Sequence, residues 1–377
     1  MWCQPRSLAT AVGAAPVRPR GTVRPRGPHE SGAPDRAGGG RRWCHYAAAG
    51  VLAGLVRGQR PGHRARTGAV VSSMAAQDMG ILLIEHLNLN VSSTEIAVEF
   101  YEALGCCRDE RRPLTKTLHS NCGALTQFHT PSPENEAYIA DAGPQRWRGT
   151  IHVAYDSPAM LEAAAQRLRT LQAEERFAST DLTLGEWQED LQELSVLGPY
   201  GNRFLLHVAP AKLDALGPRC GARPGSEKSR CLGMDALTLE VPVGTAKKAA
   251  LFYKEVLGCA VRDVDGCADG CAVLAGPGLA QELRFQEVEG CSGKEVGEHM
   301  AIYVNDFEGC FQRLLERGLV WVNPRFVHLD KSTTLEEALH YSCFRFKDVV
   351  DETGSKLFEL EHEVRSTSHK SWPLAGA

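Results

Sequence analysis

Apolar and polar residues follow the same order in two stretches of the chain, Ile84–Cys106 and Met234–Cys259. Each stretch opens with alternating apolar positions, which predict a strand with one buried face. Each then has apolar residues spaced as on one face of a helix, and a Leu-Gly pair that ends the helix before another strand. A repeat of this kind identifies a structural unit, so it predicts that the chain is built from two related halves.

The order of strand, helix and antiparallel strands occurs four times beyond residue 80. The first segment contains a strand at Leu82–Val91, a helix at Glu95–Ala103 and a strand at Ala124–Thr130. The second segment contains a strand at Thr150–Asp156, a helix at Ala159–Leu171 and a hairpin at Leu194–Val208. The third contains a strand at Met234–Val241, a helix at Ala246–Val256 and a strand at Glu282–Val288 after a turn at Gly276–Gly278. The fourth contains a strand at His299–Asn305, a helix at Phe307–Glu316, a strand at Val320–Phe326 and a hairpin at Tyr341–Val364.

One segment of this size could not bury the apolar faces of its helix and its sheet alone. We therefore expect an α+β fold in which four βαβββ modules pair into two domains, with curved mixed sheets around a cleft. The expected pairing joins segments one and two in a domain at 80–208, and segments three and four in a domain at 231–366. The remaining parts are a head at 1–79, a linker at 209–230 and a tail at 367–377.

The charge of the chain is distributed unevenly. Residues 1–77 contain twelve arginines, no lysine and only two acidic residues, whereas the rest contains 44 acidic against 30 basic residues. An acidic body argues against nucleic-acid binding, which requires clustered basic side chains. The basic head resembles a transit peptide for a plastid or mitochondrion; the alternatives are an internal signal-like segment and translation from Met74 or Met79, which would make the protein cytoplasmic.

The remaining composition is that of a folded protein without a membrane span. No apolar run reaches the roughly 18–20 residues that cross a bilayer, so we expect a soluble protein. The thirteen cysteines include no Cys-x-x-Cys pair, and this favours reduced thiols rather than a disulfide framework. Cys106 with Cys107, and Cys267 with Cys271, are weak metal or redox candidates. Dimerisation is left open.

Three motifs together resemble the vicinal oxygen chelate superfamily. They are His-Leu-x-Leu-x-Val from His86, Ala-x-x-Phe-Tyr-x-x-Leu-Gly from Ala97, and Pro-x-Gly-Asn before a final strand. The second of these recurs in the second half from Ala249, with one more residue between Phe-Tyr and Leu-Gly. The superfamily includes glyoxalase I, fosfomycin- and bleomycin-resistance proteins and extradiol dioxygenases, and the resemblance covers about residues 80–365. It implies a tandem glyoxalase-like protein with a divalent metal (Fe, Mn, Ni, Zn or Mg) held by the first and last strands of paired modules.

The second half holds the more complete set of ligands that this resemblance implies. Its first-strand position is Ala236, which cannot bind a metal, but Glu282, His299 and Glu359 occupy the next three positions. Imidazole and carboxylate groups on rigid strands suit a divalent metal with open positions. The spacing from Gly354 to Glu359 is one residue longer than usual, and Glu361 on the same strand face is the substitute.

The first half has His86 at the first-strand position and loses the other ligands. Gln127, Thr150 and Leu205 occupy those positions, and each has a histidine two residues later, namely His129, His152 and His207. These histidines either form a rearranged metal site or line a cleft without a metal. Arg284 and Arg345 either pair with an acidic substrate or face solvent.

Two functions follow from the resemblance and the ligand sets. The first is a metal-dependent enzyme of the lyase, isomerase or dioxygenase type. It would act on a small oxygenated molecule in the second domain, with the metal as Lewis acid and Glu359 moving a proton. The alternative is a metal-free protein that binds and sequesters a small molecule, as resistance-type members of the superfamily do.

Overall fold

The computed structural model describes residues 80–134, 136, 143–188, 190, 192–209, 228–263, 271–275 and 281–373. The predicted head, most of the predicted linker, the turn at Gly276–Gly278 and the end of the tail lie outside the described residues. Among the helices that are described, none has the length and apolar character needed to cross a membrane.

The first two modules follow the order strand, helix, three strands. Module 1 comprises β1 (Ile81–Asn88), α1 (Thr94–Leu104), β2 (Cys107–Arg108), β3 (Leu118–Cys122) and β4 (Thr126–Thr130). Module 2 comprises β5 (Gly149–Tyr155), α2 (Pro158–Gln172), β6 (Thr183–Gln188), β7 (Glu193–Leu197) and β8 (Arg203–Val208). The predicted turn between the last two strands is present, because the Gly198 amide donates to the Asn202 carbonyl at 2.8 Å.

Modules 3 and 4 repeat this order with one additional helix. Module 3 comprises β9 (Gly233–Val241), α3 (Ala246–Leu257), β10 (Val261–Asp263), β11 (Cys271–Ala275) and β12 (Gln281–Glu287). Module 4 comprises β13 (His299–Val304), α4 (Phe307–Glu316), β14 (Val320–Trp321), α5 (Leu335–Tyr341), β15 (Cys343–Val350) and β16 (Lys356–Arg365). The predicted strand Val320–Phe326 is thus only two residues long, and α5 follows it after a capping box at Thr334 and Glu337.

The strands form two eight-stranded mixed sheets, and each sheet takes its strands from two modules. Sheet 1 has the order β14-β15-β16-β13-β1-β4-β3-β2, and sheet 2 has the order β10-β11-β12-β9-β5-β8-β7-β6. Four βαβββ modules in two mixed sheets confirm the predicted α+β fold class. Module 1 shares a sheet with module 4, and module 2 with module 3.

The expected pairing of consecutive modules is therefore wrong. Each module has a first strand with an edge free to pair, and these strands are similar, so the repeat alone does not determine which edges meet. In the structure β1 pairs antiparallel with β13, and β5 pairs antiparallel with β9. Consecutive modules instead meet through their helices, since α1 packs on α2 and α3 packs on α4.

The apolar faces of both sheets and their helices form one continuous core. Phe100 of α1 packs on Phe204 of β8 with ring centroids 5.4 Å apart, so module 1 contacts module 2 inside this core. Phe252 of α3 packs on Phe346 of β15 at 5.9 Å, which joins modules 3 and 4 in the same way. The face of sheet 1 opposite this core carries the polar residues described next.

Candidate metal centre

Three strands at the centre of sheet 1 place polar side chains in one row. His86 of β1 lies opposite Ala301 of β13, and Ala301 lies opposite Glu363 of β16. His299 is two residues before Ala301 and therefore projects from the same face. Because β1 belongs to module 1 and the other two strands to module 4, this row exists only through the long-range pairing of β1 with β13.

Two imidazoles and one carboxylate meet at this row. The Nε2 atom of His299 lies 3.4 Å from Oε2 of Glu363, and Nε2 of His86 lies 3.9 Å from the same oxygen. One ligand atom from each of the three residues lies within 4.8 Å of the others. All three side chains are at most 8% exposed. Two imidazoles and a carboxylate with space between them form a donor set that suits a divalent metal.

Glu85 fixes the orientation of the His86 ring. Its Oε2 lies 2.5 Å from Nδ1 of His86, although neighbouring side chains of a regular strand point to opposite faces. The pairing of β1 with β13 has a register shift between Ile84 and His86, and this bulge accounts for the contact. With the Nδ1 proton held by the carboxylate, Nε2 is the atom that faces Glu363 and is left to act as a ligand.

Two buried arginines hold the Glu363 carboxylate. Arg345 Nη2 lies 3.0 Å from its Oε2, and Arg365 contacts its Oε1. Burial raises the pKa of Glu363, but the charges of Arg365 and Arg345 outweigh burial and hold the pKa well below its usual range. Burial acts to lower the pKa of both arginines, but the charge of Glu363 and other neighbouring groups outweigh burial and raise it, so all three groups are charged.

The cluster is buried and rich in charged groups. Arg345 and Arg365 pair with four buried carboxylates, which belong to Glu85, Asp330, Glu361 and Glu363. Burial raises the pKa of Asp330, and the charge of Arg345 opposes this shift. Burial and the charge of Arg365 hold the pKa of His86 well below 6.5, so its imidazole is neutral and able to bind a metal. A neutral imidazole beside an ionised carboxylate is a donor set that binds divalent cations, so the residues fit such an ion.

A stack of histidines extends from the centre towards the edge of sheet 1. The ring centroids of His86 and His129 lie 3.7 Å apart, and those of His129 and His119 lie 3.6 Å apart. Burial lowers the pKa of His119 to about 3 and that of His129 well below 6.5. His129 Nε2 also contacts Oε1 of Gln127 at 2.9 Å. These rings are neutral and stack beside His86.

The structure brings together two of the four residues that the sequence suggested as ligands. His86 and His299 meet, whereas Glu359 lies apart and pairs with Lys356 at 2.7 Å. Glu282 belongs to sheet 2, where Arg262 and Arg284 hold its carboxylate. The substitute Glu361 lies in the cluster but is bound by Arg345 at 2.7 Å and by Asn323 at 2.7 Å. The carboxylate that faces the two imidazoles is that of Glu363.

Sheet 2 has a cavity of about 590 Å³ in place of the charged cluster. Thr150 and Leu205 line this cavity. They occupy two of the positions where the resemblance implies metal ligands. His152 also lines it and hydrogen-bonds Thr238 Oγ1 at 3.0 Å, while burial lowers the pKa of this histidine to about 4. His207 is 3.0 Å from Asp235, and its ring centroid is 6.3 Å from that of His152, but these residues are not among the described groups whose ligand atoms all lie within 4.8 Å of one another. The two sheets have therefore diverged in their chemistry.

Several residues of the centre were absent from the candidates derived from the sequence. Glu363, Glu85 and Arg365 were not proposed, and Arg345 was proposed only for a substrate or for solvent. The available signal was the alternation of Glu361 and Glu363 within the predicted hairpin Tyr341–Val364, which places both on one face. The contact of Glu85 with His86 depends on a bulge that the sequence does not indicate.

No family model and no curated protein sequence matches the chain. Among solved structures, a putative dioxygenase from Bacillus subtilis subsp. subtilis str. 168 is similar with 14% identity and a TM-score of 0.46, covering 78% of this chain and 87% of that one. Glyoxalase I from Zea mays is similar with 14% identity and a TM-score of 0.42, covering 76% of this chain and 92% of that one. A member of the glyoxalase/bleomycin resistance protein/dioxygenase superfamily from Sphaerobacter thermophilus DSM 20745 has 21% identity and a TM-score of 0.24, covering 34% of this chain and 98% of that one. These are distant likenesses, and the chemistry of the site rests on its own side chains.

Proposed function

We propose that this chain is a metal-dependent enzyme of the vicinal oxygen chelate superfamily, with a divalent metal held by His86, His299 and Glu363. The observation that carries the proposal is the approach of two imidazole Nε2 atoms to one oxygen of Glu363, at 3.9 and 3.4 Å. The lowered pKa values of the His86 imidazole and of the Glu363 carboxyl group support it, because they leave a neutral imidazole and an ionised carboxylate as ligands. The four-module architecture, with ligands from first and last strands, agrees with the resemblance found in the sequence.

A bound ion would act as a Lewis acid towards a substrate oxygen and would leave open positions for that oxygen. The chain itself prepares the site. Glu85 holds the Nδ1 proton of His86, Arg345 and Arg365 hold Glu363 in its ionised form, and Phe326 packs edge-on against His299 at 5.4 Å. The ligand side chains are at most 8% exposed, so access is narrow and the substrate class is a small oxygenated molecule.

The proposal is tested by metal-dependent turnover in the full chain. The protein is stripped with a chelator, reloaded separately with Mn²⁺, Fe²⁺, Ni²⁺, Zn²⁺ or Mg²⁺, and assayed with a catechol, a 2-oxoaldehyde plus a thiol, and an epoxide plus a thiol. We expect the native chain to turn over at least one of these substrates with at least one of these metals. The Glu363→Gln variant should lose this turnover, and the Glu359→Gln variant should keep it. Turnover in Glu363→Gln equal to that of the native chain would contradict this ligand set.

The cavity in sheet 2 favours a second function, the metal-free binding of a small molecule. Its lining combines the hydroxyls of Thr150, Thr183 and Ser195 with the apolar Leu205 and Phe204. Such a cavity, of ordinary size for a ligand site, holds a partly apolar molecule through shape and a few hydrogen bonds. This function is independent of the metal centre in sheet 1.

The second function is tested with an aromatic fluorescent probe, anilinonaphthalene sulfonate, on the metal-free full chain. Leu205→Trp fills the cavity and is expected to reduce probe binding at least tenfold. Leu251→Trp is the matched control, because Leu251 is 50% exposed on α3 and does not line the cavity. Equal binding by the native chain and by Leu205→Trp would place the probe elsewhere and would contradict the assignment.

A further inference from the structure

Three cysteine side chains meet in the interior where the two sheets join. Cys106 follows α1, Cys122 ends β3 of sheet 1, and Cys231 precedes β9 of sheet 2. Their Sγ atoms all lie within 4.8 Å of one another, and those of Cys122 and Cys231 are 3.7 Å apart. None of the three residues is more than 3% exposed. They form a cluster separate from the histidine centre, and the proposed enzyme function does not use it.

The backbone fixes these three positions relative to one another. The Arg230 amide, beside Cys231, donates to the carbonyl of Gly105, beside Cys106, at 2.7 Å. Gly123, beside Cys122, forms a β-bridge with Gly233. A Cβ atom on Gly123 would lie 1.9 Å from the Leu232 carbonyl oxygen, so only glycine permits this approach. The backbone positions of the three cysteines are therefore held close together by the fold.

The separation of the sulfur atoms suits a shared metal ion better than a disulfide. Metal–sulfur bonds of about 2.3 Å place two sulfurs bound to one ion about 3.8–4.0 Å apart. The 3.7 Å between Cys122 and Cys231 is close to that separation. A disulfide requires about 2.05 Å between sulfurs, which would need both side chains to move.

Polar and charged groups lie close to the three sulfur atoms. The Sγ atoms of Cys122 and Cys231 are in hydrogen-bond contact, and either thiol can be the donor. The positive charge of Arg167 also acts on Cys231. Arg167 Nη2 is buried without a hydrogen-bond partner, so this guanidinium can balance additional negative charge on the sulfurs.

We propose that Cys106, Cys122 and Cys231 form a buried three-sulfur site for a soft metal ion, Cu(I). In the described part of the chain no histidine, aspartate or glutamate joins the cluster as a fourth ligand. Structural Zn²⁺ sites require four ligands, whereas Cu(I) is selected by thiolate sulfur. Binding moves no electrons, and each thiol that becomes a ligand gives its proton to the buffer. The ion would join module 1 to module 3 and hence sheet 1 to sheet 2.

The test is a Cu(I) titration of the full chain under anaerobic, reducing conditions, with Cu(I)–glutathione as donor and bicinchoninate as competing chelator. We expect one tightly held Cu(I) per chain, sulfur-only coordination by X-ray absorption, and a higher unfolding temperature on binding. Cys231→Ser and Cys106→Ala are each expected to lower the affinity at least tenfold. Because the two variants remove different ligands, misfolding of one leaves the other as a test.

Cys310→Ser is the matched control, since Cys310 is fully buried in α4 outside the cluster and should leave Cu(I) binding unchanged. His299→Ala should also retain Cu(I), which separates this site from the proposed enzyme centre. Equal affinity for Cu(I) in the native chain and in both cluster variants would overturn the assignment. Binding of Zn²⁺ but not of Cu(I) by the three cysteines would also overturn it. So would oxidation of Cys122 and Cys231 to a disulfide in place of metal binding.

Discussion

His86 and His299 come from the first and the last module, and their ring centroids lie 5.7 Å apart at an interplanar angle of 69°. This meeting follows from the antiparallel pairing of β1 with β13, which brings together two imidazoles at positions that are not histidine in sheet 2. In sheet 2 the corresponding first strands carry Thr150 and Ala236. The proposed metal centre thus depends on which modules share a sheet, and the following predictions test its supporting contacts.

Glu85 should control metal affinity without being a ligand. The substitution Glu85→Gln keeps the size of the side chain but removes the charge that holds the Nδ1 proton of His86. Changes to such supporting residues cost about 10–100-fold in metal affinity. We expect a loss of that size for Mn²⁺ or Zn²⁺ in competition with a chelating dye. An affinity equal to that of the native chain would mean that Glu85 does not orient His86.

Arg345 and Arg284 should differ sharply in their effect on stability. Arg345 is 2% exposed and pairs with Asp330, Glu361 and Glu363, so Arg345→Met leaves buried carboxylates without a counter-charge. The expected loss is about 3–5 kcal/mol in the free energy of unfolding. Arg284 is 36% exposed, and Arg284→Met should cost only about 0–1 kcal/mol. Urea unfolding of the metal-free chains measures both, and equal losses would contradict the burial argument.

His362 should make stability depend on pH between pH 7 and pH 5. Burial lowers the pKa of His362 from 6.5 to about 3, and its Nε2 accepts the Tyr253 hydroxyl proton. Below pH 6.5 the unfolded chain binds a proton that the folded chain does not, so stability falls as the pH is lowered. One such group contributes about 2 kcal/mol of loss between pH 7 and pH 5.

The variant His362→Gln should therefore show a smaller decrease in unfolding free energy between pH 7 and pH 5 than the native chain. Tyr253→Phe is the control, because it removes the same hydrogen bond but keeps the imidazole, and so it should keep the decrease. Denaturant unfolding at the two pH values gives the comparison. A decrease of the same size in native chain and His362→Gln would show that this histidine is not the titrating group.

The positions of single elements followed from the sequence, but their partners did not. Helix α4 has the predicted bounds, and β1, β5, β9 and β13 lie within two or three residues of the predicted strands, because local apolar periodicity defines them. Which first strands meet is a long-range choice among similar edges. For that reason His86 and His299 were assigned to different domains, although they share one sheet.

The ligand carboxylate was missed for a related reason. Counting from the turn at Gly354 suggested Glu359, but β16 continues to Arg365, and its pairing with β15 shifts register between Phe346 and Asp348. Only the pairing with β13 shows that Glu363, rather than Glu359, lies in the row of His86. Period-two alternation places these glutamates on one face, but it cannot select one of them.

Gly123 should tolerate no side chain, because the two sheets approach each other there. Its φ is +70°, and an added Cβ would meet the Leu232 carbonyl oxygen. Gly244 has a φ of +80° but nothing within 4 Å of an added Cβ. Gly244→Ala therefore measures only the cost of placing a side chain on a left-handed backbone conformation. We expect about 1 kcal/mol for Gly244→Ala and a clearly larger loss for Gly123→Ala in urea unfolding. Equal losses would contradict the close approach.

The most direct test of the proposed metal centre is the divalent metal content of the full chain after purification and dialysis. Elemental analysis is made on the native chain, on His299→Ala and on His340→Ala, in which an exposed histidine of α5 is removed as the matched control. The account predicts one equivalent of a divalent metal in the native chain and in His340→Ala, and its loss in His299→Ala. A native chain that takes up no divalent metal, or a His299→Ala chain that retains the full equivalent, would contradict it.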